Sequence, residues 1–242
     1  MCPRLTSLAL NIAATNSALE EIAIICPHIA HLDLTYCFHI SDDGFERMTQ
    51  KLKKLQSLNI PFLSAVSEQL SDLTITFTHS YCTEFLHTLH MSCTGNEFMA
   101  STVCAMLASC TQLHTLSITG IFEDWVHVED VFEPCTLNRL RSLKLNGETF
   151  QDLSFIGQHG VNLEVLSIAK VDGYTSGSLL ALLQSCFKLR KLYVGLANSY
   201  GDSSQVCAFA NVALVLLKTA YPRLEVISND KASDLEYNVM RM

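Results

Sequence analysis

The stretch CPHIAHLDLTYCFHISDDGF, from Cys26 to Phe45, contains the pattern from which the rest of the chain can be interpreted. Its cysteines and histidines raise the question of a metal site or a catalytic cluster. They are Cys26, His28, His31, Cys37 and His39. The two cysteines lack the close C-x2–4-C pair of a structural zinc site. The apolar residues Ile29, Leu32 and Leu34 instead follow the spacing L-x-x-L-x-L, with a cysteine three residues later.

This apolar triplet recurs along the whole chain. Besides residue 29, its first positions are Leu5, Leu55, Leu86, Leu113, Leu140, Leu163, Leu189 and Leu224. The intervals are 24, 26, 31, 27, 27, 23, 26 and 35 residues, and most of them fall in the 20–29 range of leucine-rich repeats. A second register agrees, because cysteine stands three residues before the first position in several repeats. These are Cys2, Cys26, Cys110 and Cys186. Together the registers predict about 8–9 repeats.

Several segments between the triplets begin with polar residues and continue with apolar residues at helical spacing, as expected of capped helices. They are 41–55, 96–110, 176–186 and 204–220. One strand–turn–helix unit cannot bury both of its faces, so such units stack into a solenoid. The sequence therefore predicts an α/β leucine-rich-repeat solenoid over residues 1–228, a curved horseshoe with parallel strands on the concave face and helices on the convex face. A polar C-terminal tail is predicted at 229–242.

The stretch from Cys26 to Phe45 resembles the cysteine-containing subtype of leucine-rich repeat, through C-P-x-I-x-x-L-x-L-x-x-C-x-x-I-S-D-x-G-F. That subtype is typical of F-box/leucine-rich-repeat proteins, the substrate receptors of cullin-type (SCF) ubiquitin ligases. The complete motif occurs once, since other repeats carry residues such as Ala13 and Glu148 at the Cys37 position. The resemblance implies that the chain recruits a protein substrate for ubiquitin-dependent degradation.

The F-box is the module that docks the ligase adaptor, and no F-box is visible before the first repeat. We therefore expect the chain to be a fragment or a short isoform. A Skp-type adaptor and a cullin are expected as partners only if an F-box precedes this region in the full-length protein. The alternative is a leucine-rich-repeat scaffold or adaptor unrelated to ubiquitin.

Composition narrows the classes of function. Hydrophobic residues make up 49% of the chain and charged residues 17%, which predicts a substantial core. A net charge of −8 argues against a nucleic-acid partner, whose usual footprint is a basic stripe. No apolar run is long enough for a membrane span and no signal peptide is recognisable. Reduced thiols, and hence a cytoplasmic and/or nuclear location, are the expectation for the 10 cysteines.

Catalytic, metal and cofactor sites are not expected. No phosphate-binding loop, dinucleotide-binding, hydrolase or kinase signature is present. Carboxylate pairs such as Asp42/Asp43 fall at a helix start, where a solvated or helix-terminal role is the simpler interpretation. Buried free cysteine behaves as a small hydrophobe, so we interpret Cys26 and Cys37 as core residues. His87 and His90 lack the i, i+4 spacing of helical zinc ligands.

The concave face is the candidate binding site. Successive residues of a strand point to opposite faces, so the residues between the core leucines project outward. The predicted partner-binding residues are His31, Asp33, Thr35, Asn59, His90, Ser92, Ser117, Thr119, Lys144, Asn146, Lys191 and Tyr193. Tyr193 is the expected anchor, because Tyr is enriched at interface hot spots. The alternative for each of these residues is that it is an ordinary solvated residue of the sheet face and contacts no partner. Trp125, in the acidic segment 120–134, either packs on the solenoid edge or contacts a partner.

Overall fold

A computed structural model describes most of the chain at residue level. The described residues are 2, 4–10, 14–35, 37, 40–64, 84–94, 100–121, 126–146, 150–151, 153–169, 176–195, 219 and 221–229. The predicted helix at 204–220, apart from Thr219, lies outside these residues, as does Trp125. The tail boundary stays a prediction, because 230–242 also lie outside them.

Within the described residues, nine parallel strands form the main sheet, and each begins one or two residues after a first-position residue. In sheet order they are β1 (Ser7–Ala9), β2 (His31–Asp33), β3 (Ser57–Ser64), β4 (Thr88–Thr94), β5 (Thr115–Ile121), β7 (Ser142–Asn146), β9 (Val165–Ala169), β10 (Lys191–Gly195) and β11 (Glu225–Asn229). Strands β6 (Val126–His127) and β8 (Phe150–Gln151) pair separately. The main order follows the chain, as stacked repeats require.

In the described part of the chain, helices connect most of the strands. They are α1 (Asn16–Ile25), α2 (Asp42–Lys51), α3 (Ala100–Ser109), α4 (Val128–Val131), α5 (Pro134–Arg139), α6 (Ser154–His159) and α7 (Ser176–Ser185). The predictions at 41–55, 96–110 and 176–186 correspond to α2, α3 and α7. Helix α2 is shorter than predicted, because Leu52 is its C-cap and donates its N–H to the Met48 carbonyl at 3.1 Å. Neighbouring helices pack against each other, α1 on α2 and α6 on α7.

The two sequence registers have separate structural causes. The first-position leucines from Leu55 to Leu163 have no exposed surface. In every repeat whose turn is described, the first-position N–H donates to the carbonyl of the residue three positions earlier, as Leu189 does to Cys186 at 3.0 Å. Cys26, Cys110 and Cys186 of this register follow helix ends and are buried, whereas Cys2 is exposed.

A backbone hydrogen-bond ladder joins successive repeats directly after the first position. The carbonyl of His114 accepts the N–H groups of both Arg141 and Ser142, at 2.8 and 3.0 Å. The same double acceptance occurs at the carbonyls of Thr6, Ala30, Gln56, His87, Arg141 and Glu164. The ladder fixes the register, so that equivalent residues of successive repeats lie side by side.

One apolar core runs between the sheet and the helices. Strand leucines meet helix residues such as Phe45, Met48 and Leu182 in a single buried cluster. Neighbouring strands lie about 4.8 Å apart, whereas packed helices lie about 8–10 Å apart, so the stack curves with the strands on its concave side. The described residues form an α/β leucine-rich-repeat solenoid, which confirms the predicted fold class.

An asparagine joins the first two helices at their starts. Asn16 donates from Nδ2 to the Ser41 Oγ at 2.6 Å, and its Oδ1 accepts the Ser41 N–H at 3.0 Å. Gly44 packs against the same side chain, where an added Cβ would overlap Asn16 Oδ1. The S-D-x-G part of the motif in the opening stretch therefore makes room for the contact between repeats.

The last strand departs from the repeat spacing. Leu224 is buried and makes the same tight turn as other first-position residues, at 2.9 Å from its N–H to the Tyr221 carbonyl. Ile227, the next predicted core position, nevertheless pairs with Tyr193 and is only partly buried. Strand β11 is thus offset by one residue relative to β10, which the apolar spacing alone does not reveal.

Candidate functional site

The strand register aligns the outward residues of the concave face into one row. Parallel pairing places each of them beside its equivalent in the next repeat. In sheet order the row is Ala9, Asp33, Asn59, His90, Ser117, Lys144, Ser167 and Tyr193. We call these residues the concave row. Its members differ in size, charge and hydrogen-bonding capacity.

Asp33 is fixed by its own turn. Its Oδ1 accepts the backbone N–H of Thr35 at 2.9 Å and also the Thr35 hydroxyl. This side-chain turn ends β2 and orients the carboxylate, a local arrangement typical of Asp. Thr35 therefore acts first as a positioning residue for Asp33.

His90 lies near the centre of the row and is partly buried. Burial lowers the pKa of its imidazole below 6.5, and the positive charge of Lys144 lowers it further. The Asp33 carboxylate acts in the opposite direction and raises it. His90 is therefore a neutral hydrogen-bonding group at pH 7.

The remaining row members differ in exposure. Ser117 is only 8% exposed, since it lies between the larger His90 and Lys144 on neighbouring strands. Asn59, Lys144 and Tyr193 are partly buried. A partner would therefore contact an uneven surface in which Ser117 forms a low point.

Two shorter rows flank the concave row. Towards the strand starts, His31 and Lys191 are exposed, and Lys191 Nζ lies 3.4 Å from Glu225 Oε2 on β11. Towards the strand ends, Ser92, Thr119 and Asn146 pair in register, although the Ser92 side chain is not among those described. Sequence reasoning missed Glu225, because the offset of β11 displaces it from the repeat spacing.

The cysteines of the opening stretch pack in the interior and do not converge on one point. The Cys37 thiol donates to the Leu10 carbonyl of the preceding repeat at 3.6 Å. Burial, and secondarily Asp33, raises the pKa of Cys37 above 9.0, which favours the thiol over the metal-binding thiolate. Within the described residues, no group of three or more His, Cys, Asp or Glu side chains is arranged to hold a metal ion.

Among known proteins, the chain matches solved structures. Neither a family model nor a curated protein sequence matches the chain. The leucine-rich-repeat protein LegL7 from Legionella pneumophila is similar with 15% identity and a TM-score of 0.45, over 94% of this chain and 84% of LegL7. Rad7, solved in complex with Elc1 in yeast, is similar with 17% identity and a TM-score of 0.48, over 94% of this chain and 78% of Rad7.

Strand register and repeat spacing identify the fold of the described residues. None of the helices in the described part of the chain has the length and apolarity that a membrane span requires.

Proposed function

We propose that this chain is a protein-interaction domain that binds a target protein on its concave face. The observation that supports this most directly is the concave row, in which strand pairing aligns chemically different side chains. At about 4.8 Å per strand, the row from Asp33 to Tyr193 extends roughly 29 Å. That length is suited to an interface of about 800 Å² per partner.

The finer proposal is that the chain is the substrate-recognition region of a cullin-type ubiquitin ligase receptor. Its support is the motif from Cys26 to Phe45. Cys26 at the end of α1 and Cys37 in the turn after β2 are both buried, and Gly44 abuts Asn16. These motif residues pack between repeats, away from the concave row. A scaffold unrelated to ubiquitin needs the same packing, so it is the second candidate.

A combined substitution tests the binding face. We expect Asp33→Ala, His90→Ala, Lys144→Ala and Tyr193→Ala together to weaken binding of a partner identified by pull-down at least about tenfold, because hot spots near an interface centre supply most of the binding energy. The measurement is the Kd for the purified partner. A matched control replaces Glu46, Arg47, Gln50 and Lys51 on α2 with Ala. Equal Kd values for both variants would place the site elsewhere.

A separate experiment tests the ligase proposal. Affinity purification of the full-length gene product from cells, followed by mass spectrometry, should recover a Skp-type adaptor and a cullin. Recovery of the target without either ligase component would favour the scaffold function and leave the concave-face proposal intact.

A further inference from the structure

The turns that lead into the strands form a second exposed surface, distinct from the concave row. We call it the turn edge, and define it as the two residues before each first-position residue and the one after it. The backbone ladder passes through the residue after the first position, so equivalent turn-edge residues lie beside one another.

Positive charge is concentrated on the turn edge, although the chain has a net charge of −8. Half of the chain's 16 lysines and arginines lie there: Arg4, Lys53, Lys54, Arg139, Arg141, Lys188, Arg190 and Arg223. Of the 24 acidic residues, only Glu84, Glu164 and Glu225 do. A local basic surface on an acidic chain creates a field that selects negatively charged partners.

Two surface grooves lie along the turn edge. The first crosses the four N-terminal repeats, and its lining includes Arg4, His28, Lys54 and Phe85. The second crosses later repeats, and its lining includes His114, Arg141, Glu164 and Lys188. The residues that line each groove precede the first residues of several neighbouring strands. A peptide bound in either groove would therefore run from repeat to repeat, along the solenoid axis.

Exposed aromatic side chains accompany these cations. Phe85 is 47% exposed and belongs to the first groove, and Phe187 is 74% exposed beside Lys188 of the second. Each phenylalanine adds apolar contact area beside a cation, and Lys188 Nζ lies 5.9 Å from the centre of the Phe187 ring. The turn edge thus offers both charge and apolar contact.

Some of the polar residues have structural roles. Arg139 Nη2 lies 3.4 Å from the Leu107 carbonyl and 3.5 Å from the Cys110 carbonyl, where it neutralises the end of α3. Lys188 donates to Asn162 Oδ1 at 2.6 Å, and Asn162 in turn donates to Asn138. These contacts position the groove walls, while Arg141 and Arg190 are exposed.

We propose that the turn edge binds an extended acidic peptide segment of a partner protein, one that also carries aromatic or aliphatic residues. Arg141 and Arg190 occupy equivalent positions two strands apart, about 9.6 Å at the usual strand spacing. A peptide in the polyproline II conformation covers nearly the same distance, about 9.3 Å, in three residues, and every third side chain then faces the same way. Acidic residues at every third position therefore match the arginines.

A nucleic acid fits this surface less well. The residue after the first position reads Arg141, Glu164 and Arg190 in three successive repeats, so the carboxylate of Glu164 lies between the two arginines. A uniform line of phosphates would meet that carboxylate wherever it follows the edge, whereas a peptide can place neutral residues opposite it. This surface is separate from the concave row, and its occupancy does not depend on the function proposed above.

Fluorescence anisotropy with the purified full chain tests the proposal. The first probe is an 18-residue peptide with Glu at every third position and two Phe residues. The second has the same composition with all Glu residues clustered at one end, and the third is an 18-nucleotide oligo-dT. We expect the first probe to bind about tenfold more tightly than the second, with affinity falling as salt screens the charges.

Charge reversal locates the site. Lys188→Glu with Arg190→Glu should weaken the first probe roughly tenfold, whereas Arg47→Glu with Lys51→Glu on α2 makes the same charge change and should leave it unaltered. Circular dichroism and thermal melting show whether each variant is folded. The concave-face variant should also bind this probe normally.

Three outcomes would overturn the proposal. Equal loss in both charge-reversal variants would indicate a net-charge effect, and tighter binding of oligo-dT would indicate a nucleic-acid surface. Concentration-dependent self-association in sedimentation that Lys188→Glu with Arg190→Glu abolishes would make the turn edge a contact between copies of this chain.

Discussion

Each main-sheet strand from β2 to β10 contributes one residue to an inward row and the next residue to the concave row. The two rows cross the same strands and face opposite sides of the sheet. The inward row is leucine in every main-sheet strand from β2 to β10: Leu32, Leu58, Leu89, Leu116, Leu143, Leu166 and Leu192. The concave row beside it mixes acidic, amide, imidazole, hydroxyl, ammonium and phenol groups. Packing between the sheet and the helices therefore requires leucine in the inward row. It places no such requirement on the concave row, whose residues are available for binding.

The largest predicted effect is on the free energy of unfolding, when one residue of each row is replaced in the same strand. Leu166 has no exposed surface and lies between Leu143 and Leu192, so Leu166→Ala removes packing on both sides. We expect its free energy of unfolding to fall by about 2–5 kcal/mol. Ser167→Ala, one residue later, should change it by about 0.5 kcal/mol or less.

Urea denaturation followed by circular dichroism measures both values. The slopes should match the wild-type slope, since a changed slope would mean that part of the solenoid unfolds separately. Comparable destabilisation by the two substitutions would contradict the division of the strands into an inward and an open row.

The second largest effect should be on alkylation rates, which should differ strongly between a buried and an exposed cysteine. Cys186 is buried at the end of α7, with its Sγ 3.4 Å from the Gly160 carbonyl, and burial raises its pKa from 9.0 to about 11. The thiolate is the reactive form, so this shift alone lowers the alkylation rate about 100-fold relative to the unfolded chain. Cys135 is exposed and should react in the native protein.

Iodoacetamide labelling at pH 7.5, with peptide mass spectrometry, measures both sites in native and urea-unfolded protein. Cys135 serves as the internal control, because its rate should change little on unfolding. Rapid native labelling of Cys186 would contradict its placement in the core.

Much of the fold could be predicted from the sequence, because burial repeats with a fixed period. The triplet at Leu86, Leu89 and Met91 predicts β4, and all three residues are buried in the structure. Short or offset elements escaped this reasoning. Two-residue strands such as β6 and β8 contain no period, and the offset of β11 arises from pairing with β10 and not from the residues around Leu224.

The concave row could be anticipated, since alternation along a strand gives each side chain a face. Its chemistry could not, because the turn between Asp33 and Thr35 and the partial burial of His90 depend on neighbouring atoms. The turn edge was missed for another reason. Net charge averages over the chain, whereas the columns containing Arg141 and Lys188 are apparent once the repeats are aligned on their first positions.

The smallest predicted effect concerns the electrostatics of the concave row. The pKa of His90 is below its ordinary value of 6.5. As pH falls through 6.5, the unfolded chain takes up a proton at this site more readily than the folded chain. His90 therefore reduces stability as pH falls below that value and has little influence above it. NMR titration of its imidazole signals should give a midpoint below 6.5.

Two substitutions separate the causes of that shift. Lys144→Gln removes a positive neighbour and should raise the pKa of His90, whereas Asp33→Asn removes a negative neighbour and should lower it further. Both changes should be small, because salt screens charges two strands apart near the surface. Thr119→Val, also on the open sheet face, serves as the uncharged control. If the three variants share one midpoint, the row does not act as a coupled electrostatic surface and only burial lowers the pKa of His90.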